Sequence, residues 1–79
     1  MLTPTLPTLA ELQELQSAHI QLIQTDNATR IRLLGMGLGK GSRIEVLRNR
    51  RGDLVLSNGN NRISLGKSIT QQIFVQVQP

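Results

Sequence analysis

Four glycines stand at alternate positions in the stretch RLLGMGLGKGS, Arg32 to Ser42: Gly35, Gly37, Gly39 and Gly41. They separate two patterns of different period. Before them, Ala28, Ile31, Leu34 and Leu38 recur at steps of three and four, which predicts one face of a short helix. After them, RIEVLR alternates, with Ile44 and Val46 on one face and Arg43, Glu45 and Leu47 on the other, as in a strand. A helix that must end and turn into a strand over so short a stretch needs backbone conformations that glycine tolerates. The glycines are therefore read as a helix-ending turn.

A phosphate-binding loop is the competing reading, and the spacing speaks against it. A dinucleotide fingerprint needs Gly-x-Gly-x-x-Gly after a strand and before a helix. Counted from Gly35 the third glycine falls on Lys40, and from Gly37 on Ser42; the order of elements is also reversed. The GKS at Gly66 to Ser68 resembles the end of a nucleotide-binding loop, but the glycine that should open that motif is Asn61. It reads as a loop entering a short helical turn, with Ser68 as its cap.

The remaining segments are short and mostly alternate. LAELQELQ, Leu9 to Gln16, is a helical turn or irregular lead-in, with Leu9, Leu12 and Leu15 at spacings of three. HIQLIQ is the first strand, and Asp26 or Asn27 caps the helix. RRGD is a turn, LVLS a strand with Leu54 and Leu56 on one face, and Asn58-Gly59 a hairpin signal. RISL returns with Ile63 and Leu65, GKSITQQ is a helical turn, and IFVQV closes the chain with Ile73, Val75 and Val77 on one face. Five short strands around an aliphatic core predict a mainly β fold: a small SH3-like barrel with one short helix and a helical turn. Residues 1–8, with Pro4 and Pro7, are expected to be a flexible tail, and residues 9–79 the barrel domain. Phe74 is the only aromatic residue among 79, so Ile, Leu and Val must fill the core. A domain this small has a modest stability reserve, to which self-association would add.

Candidate chemistry is sparse. There is no cysteine, a single histidine (His19), and the carboxylates Glu11, Glu14, Asp26, Glu45 and Asp53 are scattered. Neither a nucleophile with its base nor a set of three or four metal ligands is visible, so no catalytic residue, cofactor or metal site is assigned. A weak iron site at His19 is the reading that a metal titration would test. The absence of cysteine favours a reducing cytoplasm, and the N-terminus lacks the basic start and apolar run of a signal peptide. No segment approaches the ~20 apolar residues that span a bilayer, so direct membrane insertion is not expected. The net charge of +4, with Arg48, Arg50 and Arg51 in RNRRG, makes a nucleic-acid-binding barrel the alternative function. The missing aromatics, which would stack bases, speak against it.

RIRLLGMGLGKGSRIEVLRN resembles the signature of the ferrous iron transport protein A (FeoA) family through Arg32, Leu33, Leu34, Met36, Gly37, Leu38 and Gly41. Gly52-Asp53 resembles the family's Gly-Asp-Pro turn. Ile63, Leu65, Ile73 and Val75 resemble its closing motif. The likeness runs from about Leu9 to Val77. Departures fall at turn and packing positions: Lys40 and Leu54 replace prolines, Leu15 a glycine, and Thr70 an alanine. The resemblance implies a small cytoplasmic, non-enzymatic accessory protein of bacterial ferrous iron uptake. Its partner would be the ferrous iron permease with its cytoplasmic GTPase domain, which would recruit it to the inner face of the membrane. Met36 and Leu38 are expected to form an apolar contact on that partner, Lys40 to rim it, and Arg50 on the basic hairpin to assist through charge.

Overall fold

The computed structural model describes residues 6–78. A 3-10 turn, Leu9–Glu11, leads into β1 (Ser17–Ile23), α1 (Asn27–Gly35), β2 (Arg43–Arg50), β3 (Asp53–Asn58), β4 (Asn61–Leu65), α2 (Lys67–Thr70) and β5 (Ile73–Val77). The strands form one antiparallel sheet in the order β4-β3-β2-β1-β5. Register shifts between Ile20 and Leu22 in β1, and between Val46 and Arg48 in β2, interrupt the ladder. Such bulges bend strands and increase twist, and so help five short strands curl around one core.

The core is aliphatic throughout. Ile44 and Val46, Leu54 and Leu56, Ile63 and Leu65, and Ile73 and Val75 are the inward halves of four alternating strands, as their spacing predicts. Leu9 and Leu12 of the lead-in are buried beneath them, while Phe74 is only half-buried. Leu15 does not continue the series. Gln16 N–H donates to the Gln13 carbonyl at 3.2 Å, closing a turn in which Leu15 has φ +72°. Its side chain is left 74% exposed.

Both hairpins close with two-residue loops. Arg51 and Gly52 join β2 to β3 with φ +54° and +95°, the double positive φ of a type I′ turn. Asn58 pairs with Asn61, so the loop between β3 and β4 is Gly59-Asn60, with Gly59 at φ +62°. The hairpin expected at Asn58-Gly59 is therefore shifted by one residue, because glycine takes the first loop position, where a type II′ turn places its positive φ.

Side chains then tie the ends together. Asn49 Nδ2 donates to the carbonyls of Ala10 and Leu12, and its Oδ1 accepts from Gly52 N–H at 2.8 Å. Asp53 Oδ1 accepts from Lys67 N–H at 2.8 Å, so Asp53, not Ser68, serves the start of α2; Gly66 is the N-cap residue. Thr70, fully buried, donates its hydroxyl to the Gly52 carbonyl. Of the tail expected at residues 1–8, residues 1–5 lie outside the described residues. Pro7 accepts from Val75 N–H at 3.0 Å, and Thr8 pairs with Phe74, so both are fastened to β5.

Candidate protein-docking surface

Asp26 is the N-cap of α1, and its carboxyl is held below the usual carboxylate range chiefly by the Thr29 hydroxyl. The helix ends at the glycines by a specific exchange of hydrogen bonds. Gly37, at φ +84°, donates to the Leu34 carbonyl at 2.9 Å, and Leu38 N–H donates to the Leu33 carbonyl at 2.8 Å. This is the Schellman arrangement, in which the residue after the left-handed position folds back against the last turn. Leu38 and Leu33 are consequently both buried.

The expectation for Leu38 is thereby corrected. Its side chain is 0% exposed and offers no partner a surface. The expected helix face is also out of phase. Leu33 is the one buried residue of α1, whereas Ala28, Ile31 and Leu34 are exposed. The sequence pattern counted Leu38 as helical, but the chain has already left the helix at Met36, so Leu38 enters the core with Leu33.

The turn itself is fastened at several points. The Gly37 carbonyl accepts from Asn58 Nδ2 at 2.9 Å and from the Ser42 hydroxyl at 3.0 Å. Gly41 N–H donates to the Ile20 carbonyl at 2.7 Å, and Ile20 N–H to that of Ser42 at 2.9 Å. Gly39 is buried, and a Cβ there would lie 2.7 Å from Leu34 Cδ2. The glycine thus makes room for Leu34 to lie across the turn.

Several apolar side chains of α1 and its flanks therefore remain outside. Ile31 is 66% exposed, Leu34 56%, Leu22 of β1 47% and Met36 38%. A depression of about 190 Å³ runs between β1 and the helix, lined by Leu22, Ile23 and Leu34 with Gly39 at its floor and Arg30 and Lys40 beside it. Lys40 lies beside this depression, not beside the Met36–Leu38 patch that it was expected to rim. Met36 lines a neighbouring groove along β4. Arg50 is not part of either. It pairs with Asp53 across the hairpin and lines a separate groove with Arg48, Val55 and Ser64. Leu22 and Ile31 were not singled out as contact residues in the sequence. The available signal was that a nine-residue helix carrying Ile31, Leu33 and Leu34 cannot turn all three toward one sheet.

No three His, Cys, Asp or Glu side chains come together among the described residues. His19 Nδ1 and Gln78 Nε2 lie 2.5 Å apart, within hydrogen-bond reach. A wide-open groove of about 970 Å³ lies between the lead-in and the β2–β3 hairpin. Of its carboxylates, Glu14 accepts from Asn49 N–H at 3.1 Å. Glu11 is bound to Thr8, whose backbone N–H, and then hydroxyl, hold its carboxyl below the usual range. Among the described residues no helix is long and apolar enough to cross a membrane.

A family model described as the FeoA domain matches residues 8–77. The chain belongs to the FeoA family. It is 28% identical over 68 residues to the "Putative Fe(2+) transport protein A" of Methanocaldococcus jannaschii, covering 86% of this chain and 83% of that protein. The crystal structure of an iron uptake regulatory protein (FeoA) superposes with a TM-score of 0.85 at 25% identity, covering 94% of this chain and 100% of that one. A manganese-dependent transcriptional repressor superposes with a TM-score of 0.83 at 22% identity; there the match covers 96% of this chain but 43% of the repressor, a likeness of fold alone. The FeoA structures establish the SH3-like barrel expected from the strand pattern.

Proposed function

We propose that this FeoA-family chain is a non-enzymatic accessory module of ferrous iron uptake that acts by docking on the cytoplasmic, GTPase-bearing part of a ferrous iron permease. The observation that carries the reading is the exposure of the apolar side chains of Leu22, Ile31, Leu34 and Met36. These apolar side chains stay outside on a chain whose core consists of buried aliphatic residues. Arg30 and Lys40 lie beside Leu22 and Leu34 and give that depression a positive rim. Apolar centres with a polar rim are the anatomy of a protein interface. Docking there places the protein at the inner face of the membrane without inserting it.

The test is binding of the purified chain to the purified cytoplasmic portion of the permease from the same cell. Leu34→Glu and Met36→Glu should fold and lose at least tenfold in affinity, since buried apolar anchors at an interface centre dominate binding. Lys40→Glu should slow association and weaken its salt dependence. The isolated chain should not hydrolyse GTP. Normal binding by both folded glutamate variants would refute this surface, and robust GTP turnover that survives rigorous purification would refute the non-enzymatic role.

A second reading has its own observation. Arg43, Arg48, Arg50 and Arg62 are all exposed on β2 and β4, flanking β3. Such a face suits a phosphate backbone. Its binding to mixed RNA or DNA should fade steeply as salt rises past ~150 mM if charge alone drives it. Salt-resistant, sequence-selective binding would favour this reading over docking on the permease.

A further inference from the structure

The two edges of the sheet are treated differently. The outer edge of β5 is occupied by the chain's own lead-in, where Val75 N–H donates to the Pro7 carbonyl and Thr8 bridges Phe74. The outer edge of β4 has no such strand beside it among the described residues. The hairpin register fixes which backbone groups are left there. The two-residue loop makes Asn58 and Asn61 a hydrogen-bonded pair, and the alternation of antiparallel pairs makes Leu56–Ile63 and Leu54–Leu65 hydrogen-bonded as well. The N–H and C=O groups of Arg62 and Ser64 therefore point away from β3, toward the open edge.

A groove of about 450 Å³ follows that edge, lined by Met36, Asn60, Asn61, Arg62, Ile63 and Ser64. Its apolar wall is Met36 with Ile63, and its one charged residue is Arg62, with no carboxylate in the lining. Unpaired edge groups beside an apolar pocket are what strand addition requires: main-chain bonds supply affinity and alternate side chains supply selectivity. From this geometry we infer that β4 is a strand-addition site for an extended segment of a partner protein. That segment carries an aliphatic side chain opposite Ile63, against Met36, and a carboxylate opposite Arg62.

A second copy of this chain fits less well. Two β4 strands paired antiparallel about Ile63 would set the two Arg62 side chains on one face, as diagonal neighbours roughly 7–8 Å apart. Like charges so placed oppose self-pairing, one of the ways natural edges are guarded. An acidic segment converts the same arginine into an attractive contact. The inference deepens the docking reading, because Met36 belongs to both, but it is tested without any permease.

The probe is a capped synthetic hexapeptide of alternating glutamate and valine. Its controls are the lysine-valine counterpart and the same glutamate-valine peptide N-methylated at alternate residues to remove its edge hydrogen bonds. Binding to the full chain is followed by NMR. The glutamate-valine peptide should shift the amides of Arg62 and Ser64 and slow their hydrogen exchange. The lysine and N-methylated peptides should bind at least tenfold more weakly. Ser64→Pro removes an N–H that no ladder bond uses, so it should keep the fold and lose at least tenfold in affinity. Arg62→Glu should reverse the preference between the glutamate and lysine peptides. Should Ser64→Pro fail to fold, the N-methylated peptide makes the same test from the other side. The inference is overturned if the glutamate peptide does not bind at millimolar concentration, or if its shifts map to Leu22 and Leu34. Equal binding of the N-methylated peptide, or a concentration-dependent dimer abolished by Arg62→Glu, overturns it as well. Failure of the permease to bind, with the peptide result intact, refutes only the proposed function.

Discussion

Leu15 occupies a position built for glycine, and changing it isolates a backbone energy. It sits third in the turn from Gln13 to Gln16 with φ +72°, where a type II turn calls for glycine. The conformation is imposed from outside: Leu15 N–H donates to the Val46 carbonyl at 2.7 Å, and Val46 N–H donates to Gln16 at 2.9 Å. A left-handed conformation costs an L-residue about 1–2 kcal/mol. Glycine escapes that cost but loses about 0.5–1 kcal/mol more chain entropy than alanine. Leu15→Gly should therefore be more stable than Leu15→Ala by roughly 0.5–1 kcal/mol, the reverse of the order at an ordinary position. Comparing the two variants removes the side chain from the account. That side chain is 74% exposed, and its loss costs both variants only about 0.5 kcal/mol. Urea denaturation gives the difference directly, and each kcal/mol should move the melting temperature by about 4–8 °C in a domain of this size. If Leu15→Gly melts at or below Leu15→Ala, the backbone at residue 15 is not strained and the reasoning fails.

Other consequences follow from burial and charge. Leu38→Ala should cost about 2–4 kcal/mol by opening a core cavity, whereas Met36→Ala should stay within about 1 kcal/mol; equal losses in denaturation would contradict the Schellman packing. Asn49→Ala removes the side chain that binds the Ala10 and Leu12 carbonyls and the Gly52 amide. It should cost about 1–3 kcal/mol and speed hydrogen exchange at Gly52, while unchanged exchange there would show that the hairpin closes without it. The carboxyls of Glu11 and Asp26 are held below their ordinary 4.5 and 3.8, so the stability they contribute is complete above those values. It is lost as pH falls through their lower native values. Glu11→Gln should flatten the acid side of the stability profile, and an unchanged slope from pH 5 to 3 would show that Thr8 does not hold this carboxylate (roughly the window for a depressed acid).

The sequence by itself determined what depends on near neighbours. The alternation of Ile44 with Val46, or of Ile63 with Leu65, names the inward face because strand side chains alternate whatever lies beneath them. Gly37 as a helix terminator is likewise local, since it satisfies backbone groups within a few residues; Asp26 stands at the N-cap as expected, but its side chain makes no capping hydrogen bond there. The family signature was legible for the same reason; the positive φ at Leu15 was not, since its spacing from Leu9 and Leu12 read as a helical turn or irregular lead-in. Tertiary structure alone decided which of two apolar helix faces goes down. Ile31 and Leu34 are as apolar as Leu33, but the fold-back at Gly37 brings Leu38 beneath Leu33 and leaves the others outside. Arg50 could be placed in a groove of its own only once the strands were paired. The open edge of β4 was equally hidden, because an edge is defined by the strand that is not beside it. RISL reads the same in a central strand as in a free one, and only the order β4-β3-β2-β1-β5 distinguishes them.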